Sequence, residues 1–413
     1  MKRVIVFIIV LGVLLRLILA LGSFHPDIKA FYYAGEVISK GNFLNFYDYL
    51  GKLPVSDPIH KIYPANLFIY PPLMYFFIGP VTHLLTLPFP GGFLQSFVFD
   101  LPGILGNLQL NLLLLALKAP YILFDAAIGW LLYSFFKKPK NKILALSFWV
   151  FNPVNLYATY MMGQFDIIPT FFTVLALYFA VKKEKYFLAA LFLGFGASFK
   201  IFPIIFLIPL ALLRDKWLDR IKIIGIGAVT YIATILPFIN SQGYRGSALL
   251  AGQTTKSFYA AIPISGGESI IIFPLLMVFF CFLFFYLKGS LESLWSRFFI
   301  MLLLFFIFTH YHPQWFVWIT PFLIIDLIKS GLKHWPLTLL SLISWLGLIT
   351  FFDPGLTTRI FAPLVPSLQN APGLWESLGI SFDLNWSRSI LQTVFAAAGL
   401  YYIYYYFPKV RKT

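Results

Sequence analysis

Gly22-Ser23-Phe24-His25-Pro26-Asp27-Ile28-Lys29-Ala30-Phe31-Tyr32-Tyr33 opens the longest stretch of the chain, residues 22–107, that does not read as a plain apolar run. Around it the chain is very apolar. Of 413 residues, 60% are hydrophobic and 11% charged, with 20% aromatic and a mean hydropathy of +0.83. Soluble domains carry about 25% charged residues, so the composition points to a polytopic α-helical membrane protein. The apolar runs are continuous and do not alternate, which excludes an outer-membrane barrel. The net charge of +15 does not indicate nucleic acid, because the basic residues sit in short clusters between apolar runs, as in cytoplasmic membrane loops. The single cysteine, Cys281, lies in an apolar run and leaves no intrachain disulfide or thiolate metal site. Residues 1–21 resemble a signal peptide, but the run carries Arg16 and leads to no small-residue cleavage site, so it reads as an uncleaved first span with the N-terminus inside.

A span needs about 20 apolar residues. The candidates are 4–21, 108–136, 143–161, 167–181, 186–199, 201–213, 223–239, 270–287, 298–309, 315–328, 337–352 and 390–407, about 12 transmembrane helices. A thirteenth apolar piece, 70–89, is decided by charge. If it crossed, the clusters Lys137-Lys138-Pro139-Lys140-Asn141-Lys142 and Lys182-Lys183-Glu184-Lys185 would fall outside. If it enters and returns, 20 of the 31 basic residues lie inside and 8 outside. This predicts cytoplasmic termini and one long external loop, 22–107, with an amphipathic helix and a re-entrant helix, in a single transmembrane domain covering residues 1–413. Ten of the sixteen acids then fall on the outer face. The pieces 186–199 and 201–213 are only roughly 20 Å long each, against a hydrocarbon core of about 30 Å. Lys200 therefore marks the tip of a broken helical hairpin, and a cation there is costly without a partner.

Four constellations carry candidate chemistry. Asp27 opens an amphipathic segment, 28–39; its ordinary role would be a helix N-cap, which is compatible with facing a cavity. The turn Met162-Gly163-Gln164-Phe165-Asp166 follows Phe151-Asn152-Pro153, and Asp166 reads equally as the cap of the next helix. Ser198-Phe199-Lys200 is the hairpin tip, with snorkelling of the lysine as the plain alternative. Thr309-His310-Tyr311-His312-Pro313-Gln314-Trp315 is an outer junction with two histidines; an interfacial His, Tyr and Trp belt is its plain reading, and no neighbouring carboxylate supports a metal pair. Arg245 and Lys256, in the loop 240–269, are the outer cations between spans; taken alone, this is an ordinary polar loop. One acid with cations, histidines and aromatics at the outer ends of helices suits an anionic, lipid-attached substrate.

In order and spacing these stretches resemble the GT-C glycosyltransferases, polytopic membrane enzymes that use polyprenyl- or dolichyl-phosphate-linked sugars. They are similar to the N-glycan-precursor glucosyltransferases, the GPI mannosyltransferases and the bacterial polyprenyl-phosphate mannosyl- and arabinosyltransferases. Asp27-Ile28-Lys29-Ala30-Phe31 stands where these families have an acid after the first span, and Tyr70-Pro71-Pro72-Leu73 resembles their tyrosine-proline motif. Gly163-Gln164-Phe165-Asp166, Ser198-Phe199-Lys200 and His310–Gln314 follow in the same order. The likeness covers residues 1–213, a GT-C-like core, better than the more variable helical half, 214–413. Leu67-Phe68-Ile69 stands where relatives of the glucosyltransferases have a second acid.

The resemblance implies inverting transfer of a hexose or pentose, with mannose the expected sugar, from a polyprenyl-phosphate donor to a glycan, lipid or protein acceptor. It implies Asp27 as general base, Lys200, His310, His312 and Arg245 at the donor phosphate, and Tyr33, Tyr70, Gln164, Asp166 and Gln314 around the substrate. No metal ligand is assigned, although a divalent cation, Mg or Mn, is compatible with the chemistry. The partners are then the donor, the acceptor and the lipid bilayer, with no nucleic acid. The expected location is the prokaryotic plasma membrane with the site outside, or the endoplasmic reticulum membrane in a eukaryote. A transporter or flippase of lipid-linked sugars is the alternative; neither inverted repeats nor midplane polar pairs are visible in the sequence to support it.

Overall fold

The computed structural model describes residues 2–63, 67–249, 255–287 and 289–408. The molecule is a mostly helical integral membrane protein with several apolar helices. Three helices are long and apolar enough to cross a membrane, Lys2–Gly22, Trp217–Phe238 and Leu291–Phe308. The pair Leu108–Lys118 and Tyr121–Phe135 makes a fourth if its two parts form one bent span. Several other apolar pieces give shorter helices, including Pro72–Thr86, Tyr186–Phe199, Ile272–Tyr286 and Trp335–Thr350.

Apolar length in the sequence overstates helix length because prolines and polar residues break the runs. The run 108–136 bends by 47° between Lys118 and Tyr121, next to Pro120, which lacks the N–H a continuing helix needs. The run 143–161 is divided into Pro139–Val150, a short turn Pro153–Asn155 and a wide π-turn Leu156–Met161. The hairpin expected around Lys200 is there: Tyr186–Phe199 ends, Lys200 is extended at φ −159° and ψ 131°, and the chain resumes as a 3₁₀ turn, Phe202–Phe206, with Pro203 inside it. The stretch 315–328 likewise starts as a 3₁₀ turn, Pro313–Trp318, before the helix Thr320–Lys329. One element departs from the all-α expectation. Ala261–Pro263 pairs antiparallel with Ser269–Ile271 in an exposed hairpin.

The external-loop region is built on a helix pair. Asp27–Ser39 packs along Pro72–Thr86, the helix that follows Tyr70-Pro71. Where they cross, a Cβ on Gly35 would lie 2.4 Å from the Gly79 carbonyl oxygen, so only glycine admits this separation. The buried face of the first helix carries Ile28, Phe31, Ala34, Val37 and Ile38, spaced as one apolar stripe. Pro72–Thr86 has 15 residues, roughly 22 Å at 1.5 Å per residue and short of a core of about 30 Å.

A buried polar network anchors the first helix. Arg16 Nε donates to Asp125 Oδ2 at 2.5 Å, and its Nη1 donates to the Gly12 and Val150 carbonyls. Asp125 also accepts from Tyr160 Oη at 2.6 Å, Asn155 Nδ2 at 2.8 Å and Trp149 Nε1 at 2.8 Å. Arg16 and Asp125 are 5% and 2% exposed, so each charge relies on the other. The sequence reading noted Arg16 as a charge within a span but not this partner, 109 positions away. Removing one member of a buried pair strands the other and costs about 3–5 kcal/mol, whereas replacing both with apolar residues is often neutral. Arg16→Met should therefore lower thermal stability in detergent by about that amount, and the Arg16→Met/Asp125→Leu double variant should regain most of it.

Candidate functional site

The site forms where the start of the Asp27–Ser39 helix meets the turn before Ile167–Lys183. Asp27 is not an N-cap: Pro26 occupies that position, and Asp27 is the first helical residue. Its carboxylate turns across the fold instead, where Gln164 Nε2 donates to Oδ2 at 2.7 Å. His25 Nδ1 accepts the Asp27 backbone N–H at 3.3 Å and lies 3.7 Å from Oδ2. Among the described residues, Oδ1 has no hydrogen-bond partner, and the side chain is 40% exposed. Gln164 is held in place because Gly163 takes φ +71°, and a Cβ there would lie 2.9 Å from Ile28 Cδ1. Its backbone N–H donates to the Ala158 carbonyl in the wide turn.

Asp27 opens into a cavity of about 360 Å³. Tyr70 and Trp315 supply aromatic walls, His312 and Gln314 come from the junction after Leu294–Phe308, and Phe352 and Asp353 from the segment after Trp335–Thr350. Gln314 is 5% exposed, and its Oε1 has no hydrogen-bond partner among the described residues. The Tyr70 phenol is raised above its usual range by burial, then by Asp27 and Asp166, so it stays a donor. Asp353 is the second acid in this cavity, and it arrives from the far half of the chain; one oxygen, Oδ1, accepts from the Gly355 N–H at 2.7 Å. Among the described residues no three His, Cys, Asp or Glu side chains converge as a protein-only metal cage would require.

Lys200 does not open into this cavity. It donates to Asp166 Oδ1 at 2.6 Å and sits behind Tyr70 and Trp315, with its Nζ within 5.0–5.4 Å of the rings of Tyr70, Phe165, Trp315 and Trp318. Asp166 also accepts from Trp318 Nε1 at 2.7 Å. It stands before Ile167–Lys183 but makes no side-chain cap bond. The pair therefore braces the aromatic wall from behind, and a group placed in the cavity meets that wall before it reaches Lys200. Tyr33 is buried against Tyr63 and Arg245 is exposed; neither lines the cavity. The cation that reaches the cavity wall is Lys256, which lies 2.9 Å from His312 Nε2. His310 turns away and lines a neighbouring cavity.

His312 is pushed down to about 3 by burial first, then by Lys256 and His310. At neutral pH it is uncharged, and Nε2 accepts from the Lys256 ammonium. An unfolded imidazole takes up a proton near 6.5. Between about 6.5 and 3 the unfolded chain thus binds more protons at this position, and stability falls as the pH falls. His312→Gln should show a smaller drop in melting temperature than the parent between pH 7 and 4.5. A separate set of variants tests the brace: Lys200→Met should cost about 3–5 kcal/mol by stranding Asp166, and Lys200→Met/Asp166→Leu should melt closer to the parent.

The family model "Glycosyltransferase family 87" matches residues 68–267. That segment starts just before Tyr70-Pro71-Pro72 and contains Gln164, Asp166, Lys200 and Lys256. Asp27 precedes it, and His312 and Gln314 follow it. The chain is 26% identical over 98 residues to GPI mannosyltransferase 1 of Kluyveromyces lactis, covering 23% of this chain and 24% of that protein. It is 35% identical over 92 residues to GPI mannosyltransferase 1 of Trypanosoma brucei brucei, covering 21% of each, and 34% identical over 68 residues to the Candida albicans protein of that name, covering 16% of this chain and 17% of that one. The alignments span about a quarter or less of the length of these relatives. Over residues 68–267 the chain is thus similar to glycosyltransferase family 87, and over shorter stretches it has distant similarity to GPI mannosyltransferase 1.

Proposed function

We propose that the protein transfers a sugar, mannose the best candidate, from a polyprenyl-phosphate donor to an acceptor hydroxyl, with inversion and with Asp27 as general base. The observation that carries this reading is a carboxylate at the mouth of an aromatic cavity with one oxygen held by Gln164 and the other without a hydrogen-bond partner among the described residues. A general base needs that arrangement: it is fixed in direction and open to an incoming O–H. Asp27 Oδ1 takes the proton as the acceptor oxygen bonds to the anomeric carbon. The anomeric carbon–phosphate oxygen bond breaks on the opposite face, and its electron pair leaves with the lipid phosphate.

Each wall suits part of this step. Tyr70 and Trp315 offer apolar faces to a sugar ring, and the unpartnered Gln314 Oε1 accepts from a sugar hydroxyl. Lys256, through its contact with neutral His312, takes the place that Lys200 and Arg245 hold in the sequence expectation, next to the charge developing on the phosphate. From the basic-residue distribution, the site faces the extracytoplasmic side of a single membrane domain, at the plasma membrane of a prokaryote or the endoplasmic reticulum of a eukaryote.

Asp27→Asn keeps the Gln164 contact and removes the base. It should lower kcat/KM for transfer from a labelled polyprenyl-phosphate mannose at least about 100-fold, with an unchanged melting temperature. Near-normal turnover by this variant would remove Asp27 from the mechanism.

A further inference from the structure

A second cavity, about 690 Å³ and so nearly twice the size of the first, lies beside the Asp27 site. Four parts of the chain form it: Tyr259 and Ala260, the end of Leu294–Phe308 with the residues after it, the segment around Phe352, and the start of Leu384–Tyr405. The last helix gives it Asn385, Arg388, Ser389, Gln392 and Thr393. Their spacing of three and four places all five on one helix face. A polar face on a helix this apolar elsewhere needs something polar to meet it.

A second observation comes from the opposite wall. Thr309 is 3% exposed, lines the cavity, and its hydroxyl has no hydrogen-bond partner among the described residues. A buried hydroxyl left alone costs about 1–3 kcal/mol in comparable mutational data, so a ligand that bonds to it removes a penalty. Gln392 is fixed from behind, its Nε2 donating to the Phe306 and Ile307 carbonyls, which leaves Oε1 as an acceptor.

The chemistry of the lining selects the ligand. It holds amides, hydroxyls and one guanidinium. Arg388 is already occupied in part, lying 5.3 Å from the Phe352 ring centre and donating to Leu384 O and Asn385 Oδ1. His310 is pushed down by burial, then by Lys256 and Arg388, and is neutral at pH 7. A phosphate is best held by several free cations or N–H groups. Neutral donors and acceptors around an aromatic face suit a polyhydroxylated ring.

The position ties this cavity to the reaction. Phe352 lines both cavities, and His310 and His312, one in each wall, have ring centres 6.0 Å apart. We propose that the second cavity is the saccharide subsite for the acceptor, holding a sugar unit with Asn385, Ser389, Gln392 and Thr309 while the reacting hydroxyl crosses Phe352 to Asp27. The role in transfer rests on the reading above; the binding of a saccharide does not.

The test uses the full-length protein in phosphatidylcholine nanodiscs, which bring no sugar detergent, with soluble mannotriose as the probe and saturation-transfer NMR as the readout. Mannotriose should receive saturation from the parent protein and from Asp27→Asn. The signal should fall at least fivefold in Ser389→Leu, with its melting temperature unchanged, and in Gln392→Leu, which stays folded with a melting temperature lowered by the lost bonds to the Phe306 and Ile307 carbonyls. No signal from the parent, equal signals from parent and variants, or displacement by millimolar inorganic phosphate would each overturn the assignment. If the two variants lose mannotriose while the parent shows no transferase activity, the transfer reading fails and the saccharide site stands.

Discussion

Asp125 has to be answered from several directions at once, and the rest of the site follows from how that is done. A carboxylate 2% exposed among apolar helices is tolerable only with its lone pairs occupied. Arg16 comes from the first helix, Trp149 from Pro139–Val150, Asn155 from the short turn Pro153–Asn155 and Tyr160 from the wide turn. Meeting that need fixes the first helix against the turn 155–162. Asp27 leaves the first, and Gly163 with Gln164 leaves the second, so the contact between Gln164 and Asp27 is set by a network well behind it. The geometry of the Asp27 cavity is inherited from the solvation of a different acid.

The same logic separates what was legible in the sequence from what was not. Asp27, Tyr70, Gln164, His312 and Gln314 could be found because each is a polar or aromatic residue beside a proline or glycine at the end of an apolar run. The helical class was legible from composition. The position of Lys200 was legible too, as a cation at a helix break, but its partner was not: Asp166 reads as a cap until the fold brings it 2.6 Å from the ammonium. Arg245 has the right charge in the right loop and is simply exposed. Asp125 was passed over although an acid inside an apolar run was the available signal, because its four partners lie up to 109 positions away. Helix lengths departed furthest from the apolar runs where prolines interrupt them, since hydropathy does not register a missing N–H.

Charge in the Asp27 cavity is arranged more sparingly than the sequence implied. Lys200 and Asp166 neutralise one another behind the aromatic wall, His312 is held neutral, and Lys256 is the cation in contact with the wall. A surplus of fixed positive charge beside Asp27 would pair with its carboxylate and close it to other groups. One lysine in contact with a neutral imidazole leaves that carboxylate open to the cavity.

The Gly35–Gly79 crossing has a mechanical meaning. With backbone against backbone and no side chain between to rearrange, the Asp27 helix and the helix after Tyr70-Pro71 cannot slide or part without losing the contact. Asp27 and the tyrosine wall are therefore held on one closely packed pair. Opposite them, Trp315 and Phe352 stand on a 3₁₀ turn and a connecting segment. The direction of a single carboxylate is thus a property of two glycines, which leave no slack between the helices that carry it and the ring beside it.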